Sequence, residues 1–324
     1  MDSDLDPPLP VTIIVTAWNR EGSLPAAIDS ALAQTHADVS VIVVDDGSAD
    51  GTPGILERYA GEARVRTIRH AHNRGVTAAK NTGLGALDEA TAAFCFLDSD
   101  DTLLPSAIEA LVAGFDAPGG PWSQVLGWCR DTRTGGATGS VERHEGSVTY
   151  QDALCGRFNG DFLHLARRDL LGDARFEERG SGGEASLWWG LLREAPARLV
   201  PDVVANVERG GADRVSVVSH TAESATRRMW AYQAVIDAVG ADMRRECPDQ
   251  FGRLNGDVAK WAALAGDRTR ARRAARHALR DAPGPRSLVM MGLWLVPAGI
   301  LRSAAAWRSG RRAPVDATGI EAPA

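Results

Sequence analysis

The 324-residue chain has few cysteines, no signal-peptide pattern and no apolar run long enough to cross a membrane. Its four cysteines are scattered without Cys-x-x-Cys spacing, which argues against a cysteine-based zinc site. The N-terminus is acidic and proline-rich, unlike the basic and then apolar plan of a secretory signal. The strongest apolar run, residues 288–301, contains Pro297 and is shorter than the roughly 20 residues that span a bilayer. We therefore expect a cytoplasmic protein.

Three phosphate-related sequence signatures are also missing. No G-x-x-x-x-G-K-[ST] occurs, which excludes a P-loop nucleotide site. No G-x-G-x-x-G follows the first apolar run, which argues against a dinucleotide-binding Rossmann domain. Residues 16–20 lack the glycine-rich, Arg/Lys-containing loop of nucleotidyltransferases, so that class is also disfavoured.

The charge of the chain is unevenly distributed. The net charge is −6, whereas a whole-chain nucleic-acid binder would normally be basic, so we expect no nucleic-acid partner. Residues 268–312 hold eleven arginines and one acid, Asp281, and so carry a net +10. The remaining residues therefore carry −16. Such asymmetry suggests a basic segment with its own anionic partner.

Apolar periodicity predicts an α/β fold. Four short apolar runs rich in β-branched residues are predicted strands: residues 11–16, 39–44, 65–69 and 92–97. The segments between them have helical spacing, and this alternation predicts βαβ units. We expect a Rossmann-like, mostly parallel sheet flanked by helices. Residues 221–281 have helical spacing interrupted by Pro248 and Gly266, which predicts a helical C-terminal extension.

Distinctive polar residues follow three of the predicted strands, where open α/β sheets bind ligands. They are Thr16, Trp18 and Asn19; Asp45 and Asp46; and Asp98, Ser99, Asp100 and Asp101. Each group alone is common as a turn or helix cap, but three at successive strand ends are hard to explain that way. Clustered carboxylates repel one another, which predicts a bound Mg²⁺ or Mn²⁺ and a phosphate-bearing ligand. Trp18 could stack on a flat base, and Lys80 could pair with a phosphate.

Four segments together resemble family 2 glycosyltransferases of the GT-A fold: VTIIVTAWNR (11–20), VIVVDDGSADGTPG (41–54), HNRGVTAAKNTG (72–83) and FLDSDDTLL (96–104). The resemblance is strong over residues 10–115 and weaker through residues 162–192. It implies that Thr16, Trp18 and Asp45 hold the base and ribose of a nucleotide sugar. The nucleotide-sugar candidates also include Asn19, Asp46, Lys80, Asp98 and Ser99. Asp98 and Asp100 match the family's Asp-x-Asp motif and would bind Mn²⁺ or Mg²⁺, with Asp101 as a further metal ligand.

Family members are inverting enzymes whose base is usually an Asp that follows a Glu. Here the matching stretch reads Glu184-Ala185, so alanine stands at the Asp position. Either Glu184 takes the role, or another carboxylate does, or transfer is impaired; Glu184 as a simple helix cap is the structural alternative. The adjacent Trp188 and Trp189 are acceptor-binding candidates, of which we interpret one as core and the other as a platform for a sugar or lipid.

These patterns predict an inverting, metal-dependent glycosyltransferase that uses a nucleotide diphosphate sugar, preferably a UDP-sugar. The acceptor would be a hydroxyl of a glycan, a lipid-linked sugar or a small secondary metabolite. A non-catalytic nucleotide-sugar-binding or scaffold protein is the alternative, because of Ala185. The predicted organisation is a disordered N-terminus (1–9), a nucleotide-sugar half (10–118), an acceptor half (119–220), a helical region (221–301) and a basic, then flexible tail (302–324).

The basic C-terminal segment suggests a surface contact. Arg268, Arg272, Arg276 and Arg280 recur every four residues and therefore form one helical stripe. The apolar run 288–301 follows, with further arginines after it. This pattern predicts peripheral binding to an anionic membrane surface through residues 268–312, at the inner face of the cell membrane. A solvated helix face beside a core helix is the alternative.

Overall fold

A computed structural model describes residues 7–141, 145–179, 184–208 and 221–310. The chain divides into two compact units, residues 1–212 and residues 213–324. The first unit combines a β-sheet with helices, and the described part of the second is helical. Residues 1–6 and 311–324, which hold most of the predicted terminal tails, lie outside the described residues.

Four parallel strands build the first half of the sheet, in the order β3-β2-β1-β4. They are Val11–Ala17 (β1), Val39–Asp45 (β2), Val65–Arg69 (β3) and Ala93–Asp98 (β4). All seven residues of β1 are buried, as expected for a strand covered on both faces. The strands and their parallel arrangement confirm this part of the sequence prediction.

Helices cover both faces of these strands. Because successive side chains of β1 point to opposite faces, each face has apolar residues against which a helix packs. The helices are Leu24–Leu32 (α1), Thr52–Glu57 (α2), Val76–Gly85 (α3) and Ala107–Ala113 (α4). Ile13 of β1 shares a core with Ile28 of α1. Ile14, which points the other way, packs with Leu84 of α3. The sheet therefore fixes α3 on one face and α1 on the other.

The second half of the sheet is mixed, whereas the first half is parallel. Its strands are Thr102–Leu103 (β5), Gln124–Asp131 (β6), Gly146–Val148 (β8), Phe162–Arg167 (β10) and Ala197–Val207 (β11). Two further strands, Gly139–Val141 (β7) and Phe158–Gly160 (β9), pair with each other in a separate small sheet. Within the described residues one nine-stranded sheet results, ordered β3-β2-β1-β4-β10-β6-β11-β5 with β8 beside β11.

The antiparallel placement of β10 explains the difference. β10 runs antiparallel to both β4 and β6. Parallel neighbours need a long crossover, usually a helix. Between β6 and β10 the only helix among the described residues has five residues, Tyr150–Leu154 (α5). The longer helix Ala185–Glu194 (α6) precedes β11, which runs parallel to β6.

The second unit is built from helices, and the breaks between the first three lie at Pro248 and Gly266, as the sequence predicted. They are Ala222–Glu246 (α7), Pro248–Ala265 (α8), Arg268–Asp281 (α9), Pro285–Leu293 (α10) and Ala298–Gly310 (α11). Pro248 opens α8, and Gly266 ends it in the left-handed conformation at φ 92°. Met229, Trp261 and Ala275 belong to the core of this unit.

The last helix corrects one sequence expectation. Residues 302–310, predicted as the start of a loose tail, continue α11. Their pattern was obscured by polar residues, but Leu301 and Ala305 pack against the core of the second unit. Within the described part of the chain, no helix has both the length and the apolar character needed to span a bilayer.

We predict that Gly83→Ala destabilises the first unit. A Cβ at Gly83 would lie 2.4 Å from Cγ2 of Ile14, which is fully buried and cannot move aside. Overpacking of this kind costs about 1–3 kcal/mol. The matched control is Gly85→Ala in the same helix, where an added Cβ meets no atom within 4 Å. Chemical denaturation of both variants checks this, and equal stability would show that α3 shifts freely on the sheet.

Candidate active site at the carboxyl edge of the parallel strands

The three polar strand ends lie side by side. In the register of the sheet Thr16 is opposite Asp98, and Ala17 is opposite Asp45. The residues that follow β1, β2 and β4 therefore share one edge, as expected for parallel strands. Thr16 itself is buried at this edge.

Hydrogen bonds join the loop after β1 to the loop after β2. Asn19 has a φ of 53°, a left-handed conformation that asparagine tolerates better than most residues. Its backbone N–H donates to Ser48 Oγ at 2.9 Å, and its Oδ1 accepts from the N–H of Ala49 at 2.9 Å. The neighbouring Trp18 remains 50% exposed. The loop thus presents an indole surface at the edge while Asn19 holds its backbone.

Asp45 is fully buried and has an oxygen available for a ligand. Oδ1 accepts from the N–H of Ser48 at 2.9 Å. Oδ2 lies 3.2 Å from Arg69 Nε, but no described residue donates a hydrogen bond to it. A buried acceptor without a donor is costly. The geometry therefore suits an N–H donor from outside the protein.

Asp46 uses both of its oxygens within the protein. Oδ1 accepts from the N–H of Arg74 at 2.9 Å and lies 2.7 Å from His70 Nδ1, while Oδ2 accepts from the N–H of Gly75 at 2.7 Å. The side chain is buried. Asp46 therefore holds the loop that leads into α3, on which Lys80 lies.

Lys80 joins three separate parts of the first unit. Its buried Nζ donates to Glu184 and lies 3.5 Å from Asp98 Oδ1. The ammonium also lies 5.2 Å from the ring centre of Phe96. Burial lowers the pKa of Lys80, but the charges of Glu184 and Asp98 raise it more, so its net pKa lies above the usual value. Lys80 is therefore a fixed cation between two carboxylates.

Glu184 occupies the N-cap position of α6 without capping it. Its side chain makes no hydrogen bond to the helix backbone and instead accepts from Lys80. It remains 38% exposed. Ala185 is the first residue of α6. The structure thus brings Glu184, and no carboxylate at position 185, next to Lys80 and Asp98.

Trp188 and Trp189 differ in exposure. Trp188 is buried, and its ring lies 4.4 Å from that of His164 in a stacked arrangement. Trp189 is partly buried and packs beside two core clusters. Trp188 therefore offers little surface to an acceptor, and a contact by Trp189 stays a prediction.

His164 was not a sequence candidate, although it lies among these residues on β10. Gln124 Nε2 donates to the carbonyl of Trp188 at 3.2 Å, so Gln124 Oε1 faces His164 Nδ1 at 2.8 Å. Nδ1 must then carry the proton, which leaves Nε2 as an acceptor. Burial, with a smaller effect of the Lys80 charge, lowers the pKa of His164 to about 3. His164 is therefore neutral.

Asn81, also not predicted, positions the chain before Glu184. Its Nδ2 donates to the carbonyl of Phe176 at 3.0 Å, and its Oδ1 accepts from the N–H of Phe176 at 2.8 Å. Lys80 and Asn81 are neighbours on α3, so one turn of that helix bonds both Glu184 and Phe176. Residues 180–183, which precede Glu184, lie outside the described residues.

The carboxylates after β4 have different surroundings. Asp98 is 57% exposed beside Lys80, and Ser99 is buried. Asp101 Oδ1 accepts from the N–H of Glu208 at 3.0 Å. Asp100 makes no hydrogen bond or ion pair with a described residue. No group of three metal-ligating side chains occurs within the described ranges. Asp98 and Asp100 nevertheless suit Mg²⁺ or Mn²⁺, which bind through one or two carboxylates and substrate phosphates.

Comparison with known proteins confirms the sequence resemblance. Residues 12–140 match the family described as glycosyl transferase family 2. GalNAc(5)-diNAcBac-PP-undecaprenol beta-1,3-glucosyltransferase of Campylobacter jejuni is 30% identical over 191 residues, which cover 57% of this chain and 60% of that protein. Succinoglycan biosynthesis protein ExoO of Rhizobium meliloti is 42% identical over 109 residues, which cover 34% of this chain and 30% of that protein. The chain thus spans less than two thirds of either relative.

Solved structures confirm the fold class. S. aureus TarS 1-349 in complex with UDP-GlcNAc superposes with a TM-score of 0.64 at 15% identity, covering 93% of this chain and 92% of TarS. Mannosyltransferase PcManGT from Pyrobaculum calidifontis, in complex with GDP-Man and Mn²⁺, gives a TM-score of 0.51 at 18% identity. The superposition covers 94% of this chain and 88% of PcManGT. At these identities the likeness shows the GT-A type fold alone.

We predict that Asp46→Asn destabilises the protein by about 1–3 kcal/mol, the cost of a buried unsatisfied group. The carboxylate accepts on both oxygens, so an amide NH₂ would face at least one donor in either orientation. Asp100→Asn is the control, because Asp100 has no partner among the described residues. Urea denaturation measures both, and an Asp46→Asn variant as stable as the control would contradict the assigned bonding.

Proposed function

We propose that this chain, residues 12–140 of which belong to glycosyl transferase family 2, transfers a sugar from a nucleotide diphosphate sugar to an acceptor hydroxyl. The observation that carries the proposal is the shared edge of β1, β2 and β4. This edge holds a buried oxygen of Asp45 that accepts no hydrogen bond from a described residue, the exposed indole of Trp18, and the carboxylates of Asp98 and Asp100.

The nucleotide would lie against Trp18 and Asp45, and we propose that its base is uracil. Trp18 offers an aromatic face for stacking, and Asp45 Oδ2 can accept from the imide N–H of uracil. The bound UDP-GlcNAc of TarS supports this choice. Thr16, Asn19 and Ser99 lie at the same edge and would complete the donor site, while Asp46 would act by holding the loop before α3.

The diphosphate would lie at the end of β4. We propose that Asp98 and Asp100 hold a Mg²⁺ or Mn²⁺ ion there, together with diphosphate oxygens, whereas Asp101 already accepts from Glu208. When bound, the ion would neutralise charge that develops on the departing diphosphate. Lys80 supplies a fixed positive charge at the same place, so its contact with Asp98 keeps that carboxylate oriented.

Glu184 is the proposed base of an inverting displacement. The acceptor oxygen attacks the anomeric carbon, the bond from that carbon to the diphosphate oxygen breaks, and the hydroxyl proton passes to Glu184. Glu184 is partly exposed, so an acceptor can reach it, and Lys80 keeps it in place. His164 Nε2 can accept a further hydrogen bond, but its low pKa makes it a poor proton acceptor.

A non-catalytic nucleotide-sugar-binding or scaffold role is the second candidate. Ala185 cannot accept a proton, and the carboxylate of Glu184 is already paired with Lys80. Under this hypothesis the site would bind the nucleotide sugar but would not transfer the sugar. Donor binding without either hydrolysis or transfer would favour it.

The proposed acceptor is a hydroxyl of a glycan, a lipid-linked sugar or a small metabolite. The C. jejuni relative is named for an undecaprenol-linked substrate, and the R. meliloti relative for succinoglycan biosynthesis. The half-buried Trp189 is our candidate for an apolar acceptor contact. A lipid-linked acceptor would require action at the cytoplasmic face of the cell membrane.

We predict that UDP-sugars with Mn²⁺ raise the thermal unfolding temperature more than GDP- or ADP-sugars do, because a ligand that binds the folded state stabilises it. Asp100→Ala should lose the Mn²⁺-dependent part of this stabilisation and should not turn over. Asp173→Ala removes an exposed carboxylate elsewhere and is the control. Full Mn²⁺-dependent turnover by Asp100→Ala would exclude the proposed metal site.

We predict that Glu184→Gln lowers kcat about 100-fold or more, the usual contribution of a general base, while donor affinity is retained. Glu194→Gln, at the other end of α6, should transfer at the normal rate. Because Lys80 loses one carboxylate partner in Glu184→Gln, unfolding temperature and donor binding are measured on the same sample. A well-folded Glu184→Gln variant with unchanged kcat would remove Glu184 as the base.

A further inference from the structure

Five large apolar side chains of the second unit are exposed and close in sequence. They are Leu288, Val289, Leu295, Ile300 and Trp307, each between 58% and 64% exposed. We call them the apolar face. Among the described residues, the only other exposed large hydrophobic residues are Trp18 and Val203, which are 50% and 39% exposed. Such a concentration of exposed apolar residues marks an interaction site more often than chance exposure does.

Helix α9 presents a basic surface in the same unit. It buries its alanines, which include Ala271, Ala274, Ala275 and Ala278. Its outward residues are arginines: Arg268, Arg272, Arg273, Arg276 and Arg280, which we call the basic stripe. Arg268, Arg272, Arg273 and Arg276 form no ion pair with a described residue. These four arginines therefore carry positive charge that no acid among the described residues neutralises.

Specific contacts hold the basic stripe and the apolar face in one structure. The Arg272 guanidinium lies 5.3 Å from the ring centre of Trp294, next to Leu295. Arg286 pairs with Asp257 at 2.7 Å and so ties α10 to α8. Arg302 Nη1 donates to the carbonyl of Leu264 at 2.8 Å and ties α11 to the end of α8. The exposed apolar groups thus lie on a folded helical support.

We propose that the basic stripe and the apolar face bind an anionic phospholipid surface, with the helices lying on the membrane. Arginines attract acidic headgroups while adjacent leucine, isoleucine and tryptophan side chains enter the interface. A second copy of the chain fits less well, since a symmetric contact through this surface would bring two basic stripes together. The proposal does not depend on the proposed transferase activity.

The test is cosedimentation of the full chain with vesicles of phosphatidylcholine, with and without phosphatidylglycerol. We expect binding only when phosphatidylglycerol is present, and release at about 1 M salt, where charges are screened beyond about 3 Å. Replacing Arg268, Arg273 and Arg276 with Gln should weaken vesicle binding about 100-fold or more, since each basic residue contributes separately. Replacing Leu288, Leu295 and Ile300 with Ser should weaken it as well.

The charge-matched control replaces Arg58, Arg133 and Arg175 with Gln, because these exposed arginines of the first unit lie outside the surface. It should bind vesicles like the unchanged chain. Equal binding to neutral vesicles, equal loss in both arginine variants, or a salt-resistant dimer without vesicle binding would overturn the proposal. No nucleotide sugar is present, so a failure here leaves donor binding and transfer untouched, and both arginine variants should keep the donor-induced thermal shift.

Discussion

The buried ammonium of Lys80 is the constraint on which the candidate site depends. A buried charge is costly unless it is paired, so the chain must bring carboxylates to it. They come from different elements: Asp98 ends β4, and Glu184 opens α6. Lys80 is one of only two lysines among 36 basic residues, and its ammonium can meet two carboxylates that lie in different directions. Satisfying this one charge therefore assembles the donor end and the proposed base end of the site.

The neighbouring aspartates at the end of β2 show how adjacent identical residues acquire different tasks. Asp45 and Asp46 are both buried, but their carboxylates meet different groups. Asp46 is saturated by the loop that precedes α3 and fixes where that helix begins. Asp45 keeps one oxygen to which no described residue donates a hydrogen bond. Asp46 supplies stability, which lets Asp45 remain incompletely bonded for a ligand.

What could be predicted from the sequence was local or repeated along the chain. The apolar runs predicted β1 to β4, and parallel order then predicted that Thr16, Asp45 and Asp98 would meet. His164 and Asn81 could not be found this way, because their roles depend on partners 40 and 95 positions away in the sequence. The antiparallel β10 was missed for a related reason: the pairing of a short strand depends on the length of its connections. The helical residues 302–310 were missed because core contacts outweigh weak local periodicity.

The position of Glu184 bears on how alanine at position 185, where the family usually has its base, is interpreted. Ala185 leaves Glu184 as the carboxylate at the start of α6. A residue at an N-cap would normally bond its own helix. Glu184 instead turns away from the helix toward the cation. A diphosphate near Asp98 would compete with Glu184 for the same ammonium, since both are anions within reach of one donor group. Donor binding would then weaken the ion pair that restrains Glu184 at the step in which an acceptor hydroxyl must reach it, so the lysine that assembles the site would also couple its two ends.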